Sequence, residues 1–340
     1  MRSKKMLFTF DYELFLGANS GSVENCLLKP TNKVVALLEK FELRGIFFVD
    51  TLYLVRLKEA ARTAPKAATD FKLIQKQLVR LVNNGHCVYP HIHPHWLDAS
   101  YDSELNTWSL LDLSKYRFHS LTEQERTETF DQSMDCLSKM LQNSTATFSI
   151  NAYRAGGWSI QPFSDFAKLF DKYNIIADFS VLGGSRRNTN ALSFDFSSIQ
   201  PNSFPYRFNN QVDSKSPDGK YLQFPISSLA VEVDTLTNRM MKKILWRIKH
   251  GQNYGDGKGV EFVSNEKPSD YDKHMEMLSI ELLTLPKLKQ YCSFINDNDY
   301  VQFISHPKML SPHNLLIFKR LLSIMTGLYQ LESDWRNINI

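Results

Sequence analysis

Two acidic residues, Asp11 and Glu13, stand directly behind a short apolar stretch, residues 5–10, near the start of the 340-residue chain. In extended backbone, side chains two positions apart point to the same face. Two carboxylates that close together repel each other, and one pKa rises unless a cation lies between them. The pair therefore predicts one metal ligand and one general base. A solvated strand end or a helix cap is the alternative interpretation.

Three histidines, His91, His93 and His95, fall within five residues after another apolar stretch, residues 86–89. Neutral imidazoles and a carboxylate are a common ligand set for Zn²⁺ or a similar divalent ion, and they leave open positions for water and substrate. We predict that His91 and His95 bind the metal and that His93 faces away. The alternative is a set of hydrogen-bonded core or surface histidines.

Other polar residues follow apolar stretches later in the chain. His306 comes after residues 300–305 and is a candidate general acid, since an imidazolium can protonate a leaving amine near neutral pH. Arg154 is a candidate bidentate partner that keeps Asp11 ionised, and Asp178 is a candidate partner of His306. Trp158 offers a flat apolar wall for a sugar ring. Each has an alternative interpretation: His306 makes only a hydrogen bond at a strand end, and Arg154 forms only a surface salt bridge. Asp178 would then be a cap and Trp158 a core residue.

Apolar stretches alternate along the chain with segments of helical periodicity, and Thr122 with Glu125 has the pattern of a capping box. Such an order is typical of a parallel sheet covered by helices. The carboxyl ends of parallel strands share one face, where active sites are built. Buried strands are predicted at residues 5–10, 45–49, 86–89, 147–153, 175–181 and 300–305.

The whole chain, residues 1–340, is predicted to form one α/β domain. Residues 183–225 are rich in Ser, Asn, Pro and Gly and have poor periodicity, which predicts a long irregular insertion near the active face. Residues 312–340 are predicted to form a C-terminal helical tail that starts at a proline.

The composition excludes several classes of protein. With 43% apolar and 22% charged residues the chain is typical of a globular protein, and its net charge of +4 predicts no nucleic-acid partner. No apolar run approaches the roughly 18 residues of a membrane-spanning helix, and the apolar stretch at residues 6–10 is too short for a signal peptide. Four widely spaced cysteines without a C-x-x-C pair predict reduced thiols and a cytoplasmic location.

A basic segment, residues 238–249, interleaves lysines and arginines with apolar residues and a tryptophan. Two interpretations are open. The segment contacts an anionic lipid surface, or it is a helix whose apolar face packs on the domain and whose basic face is solvated. The sequence favours the second interpretation, so a membrane contact is the less expected partner.

The ordered set Thr9-Phe-Asp-Tyr-Glu13, His91-Ile-His-Pro-His95, Arg154-Ala-Gly-Gly-Trp158 and Ile304-Ser-His-Pro307 resembles the motifs of the polysaccharide deacetylases, the NodB-homology family also called carbohydrate esterase family 4. The match runs from residue 7 to about residue 310. The resemblance implies a distorted (β/α)-type barrel of about seven parallel strands and a divalent metal, usually zinc.

The resemblance also implies roles for the matching positions. Glu13, His91 and His95 would be the metal ligands, Asp11 the catalytic base and Arg154 its partner. His306 would be the catalytic acid and Asp178 the residue that tunes it. Trp158 and Tyr12 are the candidate contacts to the substrate.

The expected activity is the metal-dependent hydrolysis of an N-acetyl group on an amino sugar of a poly- or oligosaccharide, with an N-acetylated glycan as the partner. Two alternatives stay open. One is a glycoside hydrolase that uses Asp11 and Glu13 as its carboxylate pair. The other is a catalytically silent barrel that binds a glycan around a structural metal.

Overall fold

The computed structural model describes residues 2–232, 235–260 and 273–340. Within these ranges the α-helices are α1 (Lys29–Lys40), α2 (Thr51–Ala60), α3 (Pro65–Asn83), α4 (Glu123–Leu141), α5 (Ser164–Tyr173), α6 (Leu236–Arg247), α7 (Leu288–Asp297) and α8 (Pro312–Leu328). The strands are β1 (Arg2–Tyr12), β2 (Gly45–Asp50), β3 (Cys87–Ile92), β4 (Ser100–Asp102), β5 (Thr107–Ser109), β6 (Ala152–Ala155), β7 (Ala177–Asp178), β8 (Arg186–Asn188), β9 (Ser193–Asp195), β10 (Tyr206–Phe208), β11 (Tyr221–Gln223), β12 (Ser228–Glu232), β13 (Lys273–Met277), β14 (Tyr300–Ser305) and β15 (Tyr329–Glu332).

Nine of these strands form one sheet in the order β10-β11-β7-β6-β3-β2-β1-β14, and β15 also pairs with β1. The pairs are parallel except for β10 with β11. The segment after β11 connects two distant parts of the curled sheet. Ile226 N donates to Val181 O, just after β7, at 2.8 Å, and Ser227 N donates to Gln302 O of β14 at 3.2 Å. The fold is therefore the predicted α/β class, a distorted (β/α) barrel built mostly from parallel strands.

The two faces of the sheet carry different apolar clusters. One cluster joins alternate strand residues such as Leu7, Phe48 and Tyr89 and includes Trp335, whose Nε1 donates to the Tyr89 hydroxyl at 3.1 Å. The other, larger cluster lies between the opposite face and the helices. Because strand side chains alternate between faces, residues of odd and even position in β1 belong to different layers.

Local signals that the sequence carries are visible in the structure. The predicted capping box begins α4, with Thr122 N donating to Glu125 Oε2 at 2.8 Å and Glu125 N donating to Thr122 Oγ1 at 3.2 Å. The insertion at residues 183–225 contains the antiparallel pair β8–β9 as well as β10 and β11. The predicted helical tail also contains a strand, β15, which lies parallel to β1.

Among the described residues, no helix combines the length and the apolar composition that crossing a bilayer requires.

Candidate metal centre and active-site pocket

A cavity of about 260 Å³ opens where β1, β3 and β14 end. Most of the residues singled out by their types and spacing meet in this one place. Its lining consists of Asp11, Glu13, Leu16, His91, His93, Tyr116, Gly157, Trp158, Arg187, Leu192 and His306. Residues nearly 300 positions apart in sequence are therefore neighbours in space.

Three buried side chains in the cavity form a possible metal site: Glu13, His91 and His93. The Nε2 atoms of His91 and His93 lie 3.0 Å apart. Glu13 Oε2 lies 2.7 Å from His93 Nε2 and 3.4 Å from His91 Nε2. Two imidazoles and one carboxylate therefore present their donor atoms to a common region, as the ligands of one divalent cation do.

The structure places His93 beside Glu13 and His91, whereas the sequence predicted His95 in this position. The backbone stays extended through His93, with φ −108° and ψ 100°, so His91 and His93 point to the same face. A short 3₁₀ helix, Pro94–Asp98, begins at the next residue and turns the chain away. The ring of His95 stacks on Tyr116, with centroids 5.5 Å apart, and it does not line the cavity.

The hydrogen bonding of His91 fits a bound cation. His91 Nδ1 lies 2.9 Å from the backbone carbonyl oxygen of Arg154, which makes Nδ1 a donor and leaves Nε2, on the side of Glu13, as the nitrogen that can bind a cation. A ligand histidine in metal sites has this arrangement as a rule. Gly156 allows the close approach, since a Cβ there would lie 2.4 Å from Ile92 O and 2.9 Å from His93 Nδ1.

The carboxylate of Glu13 is held by a lysine that the sequence analysis did not single out. Lys308, nearly fully buried, donates from Nζ to Glu13 Oε1 at 2.9 Å and to Leu14 O at 2.6 Å. Burial on its own would raise the pKa of Glu13, but Lys308 and the imidazoles of His93 and His91 outweigh it and hold this pKa well below its usual range. Glu13 is therefore ionised, with Oε2 turned toward the histidines.

We expect the Lys308→Met variant to reveal this pairing through its stability. Breaking a buried ion pair from one side leaves an uncompensated charge and costs about 3–5 kcal/mol. In the metal-free protein the whole cost should appear as a lower free energy of unfolding. With a divalent cation bound, the deficit should shrink, because the cation supplies the missing positive charge.

The measurement is denaturant unfolding of both proteins with and without added Zn²⁺. Lys319→Met, which replaces an exposed lysine of α8, is the control and should change little in either condition. An equal deficit for Lys308→Met with and without metal would rule out the cation next to Glu13.

Asp11 is held by Arg154, a fully buried residue whose three guanidinium nitrogens all donate hydrogen bonds. Its NH1 donates to Asp11 Oδ1, its NH2 donates to Thr9 Oγ1 at 2.8 Å, and its Nε donates to Phe179 O at 2.9 Å. Burial would raise the pKa of Asp11, but Arg154, followed by His91 and His306, holds it below the ordinary value. The free oxygen, Oδ2, lies 3.8 Å from His91 Nε2 and 3.7 Å from His306 Nε2.

His306 faces the acids from the end of β14. Its Nε2 lies 3.7 Å from both Asp11 Oδ2 and Glu13 Oε1. On the other side, Nδ1 lies 3.1 Å from Glu281 Oε1, and the backbone N–H of His306 donates to Glu281 Oε2 at 2.6 Å. Burial would lower the pKa of His306, but Glu281, with help from Asp11 and Glu13, raises it to about 9. His306 is therefore an imidazolium at neutral pH.

We expect Glu281→Gln to move the alkaline limb of the pH–rate profile to lower pH. An acid works only while protonated, so activity that depends on His306 is present below its pKa and is lost as the pH rises through it. Removing the Glu281 charge lowers that pKa. The profile of kcat/KM against pH measures the shift, and Glu276→Gln, which breaks the separate pair with Lys287, is the control. An unmoved limb in Glu281→Gln would exclude His306 as the acid.

Trp158 forms one wall of the cavity. It is a bulky residue with a positive φ of 58°, a conformation that is uncommon and strained for such a side chain. Its ring contacts Phe194 edge-on, with centroids 5.7 Å apart. Phe194 and Arg187 also line a larger groove of about 810 Å³ formed in part by β8 and β9, and Arg187 lines both spaces. The cavity and the groove are therefore neighbours that share Arg187.

Two predicted site residues lie elsewhere. Tyr12, between Asp11 and Glu13, points to the opposite face of β1, where its buried hydroxyl donates to Gln77 Oε1 on α3 at 2.8 Å. It does not line the cavity, and strand alternation is the reason. Asp178 accepts hydrogen bonds from the backbone N–H and the hydroxyl of Ser180, at 2.9 and 2.7 Å. The contact to His306 that was predicted for Asp178 is made by Glu281 instead.

The sequence matches no protein-family model and no curated protein. Solved structures that resemble this chain weakly include a provisionally assigned polysaccharide deacetylase from Mycobacterium smegmatis, with a TM-score of 0.48, 13% identity, and coverage of 96% of this chain and 85% of that one. PuuE allantoinase has a TM-score of 0.45 at 11% identity, with coverage of 98% and 87%. The 4-alpha-glucanotransferase from Thermococcus litoralis has a TM-score of 0.49 at 11% identity. The match covers 98% of this chain and 40% of that protein. Likenesses of this size identify neither a family nor an activity.

Proposed function

We propose that the protein is a metal-dependent hydrolase that removes the acetyl group from an N-acetylated amino sugar of a poly- or oligosaccharide. The observation that carries the proposal is the meeting of Glu13, His91 and His93 with Asp11 and His306 around one cavity. Amide hydrolysis requires an activated water, a group that takes its proton and a group that protonates the leaving amine. The residues of this cavity can fill each role.

Glu13, His91 and His93 would hold the cation, for which Zn²⁺ is the best candidate given two imidazoles and one carboxylate. When bound, a divalent ion lowers the pKa of water from 15.7 toward about 7 and polarises a carbonyl oxygen. Asp11 also lies near this region but is left out of the ligand set, because Arg154, which itself donates to Thr9 Oγ1, holds Asp11 through Oδ1.

The two remaining side chains divide the proton transfers. Asp11 Oδ2 accepts a proton from the attacking water, and Arg154 keeps this carboxylate ionised and oriented through Oδ1. A C–O bond forms as the amide C–N bond breaks, and His306 Nε2 gives its proton to the departing amine. Glu281 favours the protonated state of His306 before that step. Acetate and a free amino sugar are the products.

The shape of the site supports a saccharide as the substrate. The side chain of Trp158 offers an apolar wall for a sugar ring next to the proposed reaction centre. The groove of about 810 Å³ that begins at Arg187 has room for further sugar residues of an oligosaccharide. A substrate of more than one sugar would therefore bind across both spaces.

The charge state of the two acids argues against a glycoside hydrolase. Such enzymes need one carboxyl with a raised pKa to protonate the leaving oxygen. Here the pKa of Asp11 and the pKa of Glu13 are both lowered, and Glu13 is already bound by Lys308 and flanked by two imidazoles. Neither acid is suited to carry the proton.

The experiment is an acetate-release assay on N-acetylated oligosaccharides, with chitin oligosaccharides as the first probe. The protein is assayed as purified, after treatment with a chelator, and after Zn²⁺ is restored. We expect acetate release that disappears with the metal and returns with it. Equal release by metal-free protein would contradict the metal role. Cleavage of glycosidic bonds without acetate would favour the glycoside hydrolase, and binding of the glycan without either product would favour a silent barrel.

A further inference from the structure

Helix α6 presents a row of large apolar side chains to solvent. Leu236, Met240 and Ile244, spaced four residues apart on the helix, are 78%, 63% and 56% exposed. Trp246 and Ile248 are similarly exposed, at 61% and 57%. Scattered apolar residues on a surface are ordinary, but several large ones on one short helix mark an interaction site.

This arrangement differs from the packing that the sequence favoured. We expected the apolar face of this segment to lie against the domain. In the structure the inner side of α6 is narrow: Asn238 is buried, and Met241 and Leu245 are half-buried. Asn238 Oδ1 accepts a hydrogen bond from Thr284 Oγ1 at 3.3 Å. Most of the apolar surface of the helix therefore has no partner among the described residues.

Within residues 235–250 all the charges have one sign. Arg239, Lys243, Arg247 and Lys249 are all exposed, and residues 235–250 contain neither aspartate nor glutamate. A face that contacts a protein partner usually carries few charges at its centre. An apolar row among lysines and arginines, with a tryptophan, is instead the composition of helices that lie in the interface of an anionic bilayer.

We propose that α6 docks this protein onto an anionic lipid surface. Leu236, Met240, Ile244 and Trp246 would enter the boundary between headgroups and acyl chains. The flanking lysines and arginines would contact the lipid phosphates. Binding would be peripheral and reversible, because the helix has only 12 residues and carries charge.

The position of α6 relates the membrane contact to the active site. A cavity of about 220 Å³ lies between α6 and the segment that follows β13, and its lining includes Trp246 and Glu281. Glu281 is the residue that contacts His306. This relation rests on the proposed function: it suits a glycan carried on a lipid, whose sugar would reach the pocket while its anchor stays in the bilayer.

The test is flotation of the full chain with vesicles, which does not depend on catalytic activity. Vesicles of phosphatidylcholine alone are compared with vesicles that contain one quarter phosphatidylglycerol, at low and high salt. We expect the protein to float with the anionic vesicles at low salt and to be released at high salt. Emission from Trp246 should shift to shorter wavelength on binding, and Trp246→Phe should remove that shift.

Paired substitutions at exposed positions assign the binding to α6. Lys243→Gln with Arg247→Gln should weaken binding about 25-fold, since each basic residue near an anionic surface contributes about fivefold. Met240→Ser with Ile244→Ser should weaken it while keeping the charge. Lys72→Gln with Lys76→Gln, two exposed lysines of α3 with the same spacing, is the control and should bind like the unaltered protein.

Three outcomes would overturn the proposal. The protein does not float with anionic vesicles at low salt, or it floats equally with neutral ones. Alternatively, it floats and both α6 variants bind as well as the Lys72 and Lys76 control. Self-association that the Met240 and Ile244 variant abolishes, without any flotation, would assign the face to a second copy of the chain instead.

Discussion

His93→Ala is expected to lose the metal, whereas His95→Ala is expected to keep it. The Nε2 atom of His93 lies 2.7 Å from Glu13 Oε2 and 3.0 Å from His91 Nε2, so removing it takes away one of three converging donors. Changes to groups that merely support metal ligands cost 10- to 100-fold in affinity, so loss of a ligand should cost more than about 100-fold. Turnover should fall with the metal.

His95 provides the matched comparison, because it is a histidine two residues away and equally buried. Its ring stacks on Tyr116, and within the described part of the chain neither ring nitrogen has a hydrogen-bond partner. His95→Ala should therefore lower stability and leave one metal ion per chain. If that variant does not fold, His95→Phe keeps the stacking and answers the same question. Metal analysis by mass spectrometry is the readout, and a His93→Ala protein that retains its ion would refute the ligand set.

Asp11→Asn is expected to keep the metal and to lose about 10²- to 10⁴-fold in kcat, which is the usual contribution of a general base. An amide oxygen can still accept a hydrogen bond from Arg154, but it cannot take a proton from water. The ligand donors of Glu13, His91 and His93 are unchanged in this variant. Metal content and kcat measured on the same sample separate the base from the ligands.

Asp178→Asn is the control for this substitution, since it also neutralises a fully buried carboxyl group in the same fold. Burial raises the pKa of Asp178 to about 6, although the hydrogen bonds from Ser180 act to lower this pKa. Its hydrogen-bond partner is Ser180, not His306, so kcat should stay within a few-fold of the unaltered protein. If Asp11→Asn keeps full activity, Asp11 is not the base. If Asp178→Asn folds and also loses activity, neutralising a buried carboxyl group is enough to stop turnover and the role of Asp11 as the base is not supported.

The alternation of side chains along a strand explains what the sequence could and could not predict about the acids and histidines. It correctly put Asp11 and Glu13 on one face. Applied once more, the same rule puts Tyr12 on the other face and His93 beside His91. The expectation that His93 faces away differs from the structure, because it did not extend the strand through His93 to Pro94, where the chain turns.

Glu281 and Lys308 were missed for a different reason. Neither is part of a motif, and each reaches the site through tertiary contacts with residues far from it in sequence: Lys308 with Glu13, and Glu281 with His306. One signal was present, because Glu281 follows a short and mostly apolar stretch, Met277-Leu-Ser-Ile280, as Asp11 follows its strand. Lys308 gave no signal beyond its place two residues after His306.

At the level of the fold, apolar strands and helical periodicity predicted the parallel sheet, because burial on both faces leaves a clear pattern. Two elements gave weaker signals. Helix α2 follows β2 directly, and Asp50 at its N-cap is the one start signal in the sequence. Strand β15 lies in the predicted helical tail and is partly exposed, so it lacks the apolar pattern of a buried strand. The exposed apolar row of α6 could not be predicted, because periodicity identifies an apolar face but not what covers it.

The proposed ligand set is tested most directly by the anomalous diffraction of a crystal grown with Zn²⁺ and measured at the zinc absorption edge. This ligand set predicts one strong peak in the cavity, bonded to Glu13 Oε2 and to the Nε2 atoms of His91 and His93, with Asp11 still held by Arg154. A peak bonded to His95 in place of His93, or a cavity without any peak in protein that contains zinc, would contradict it.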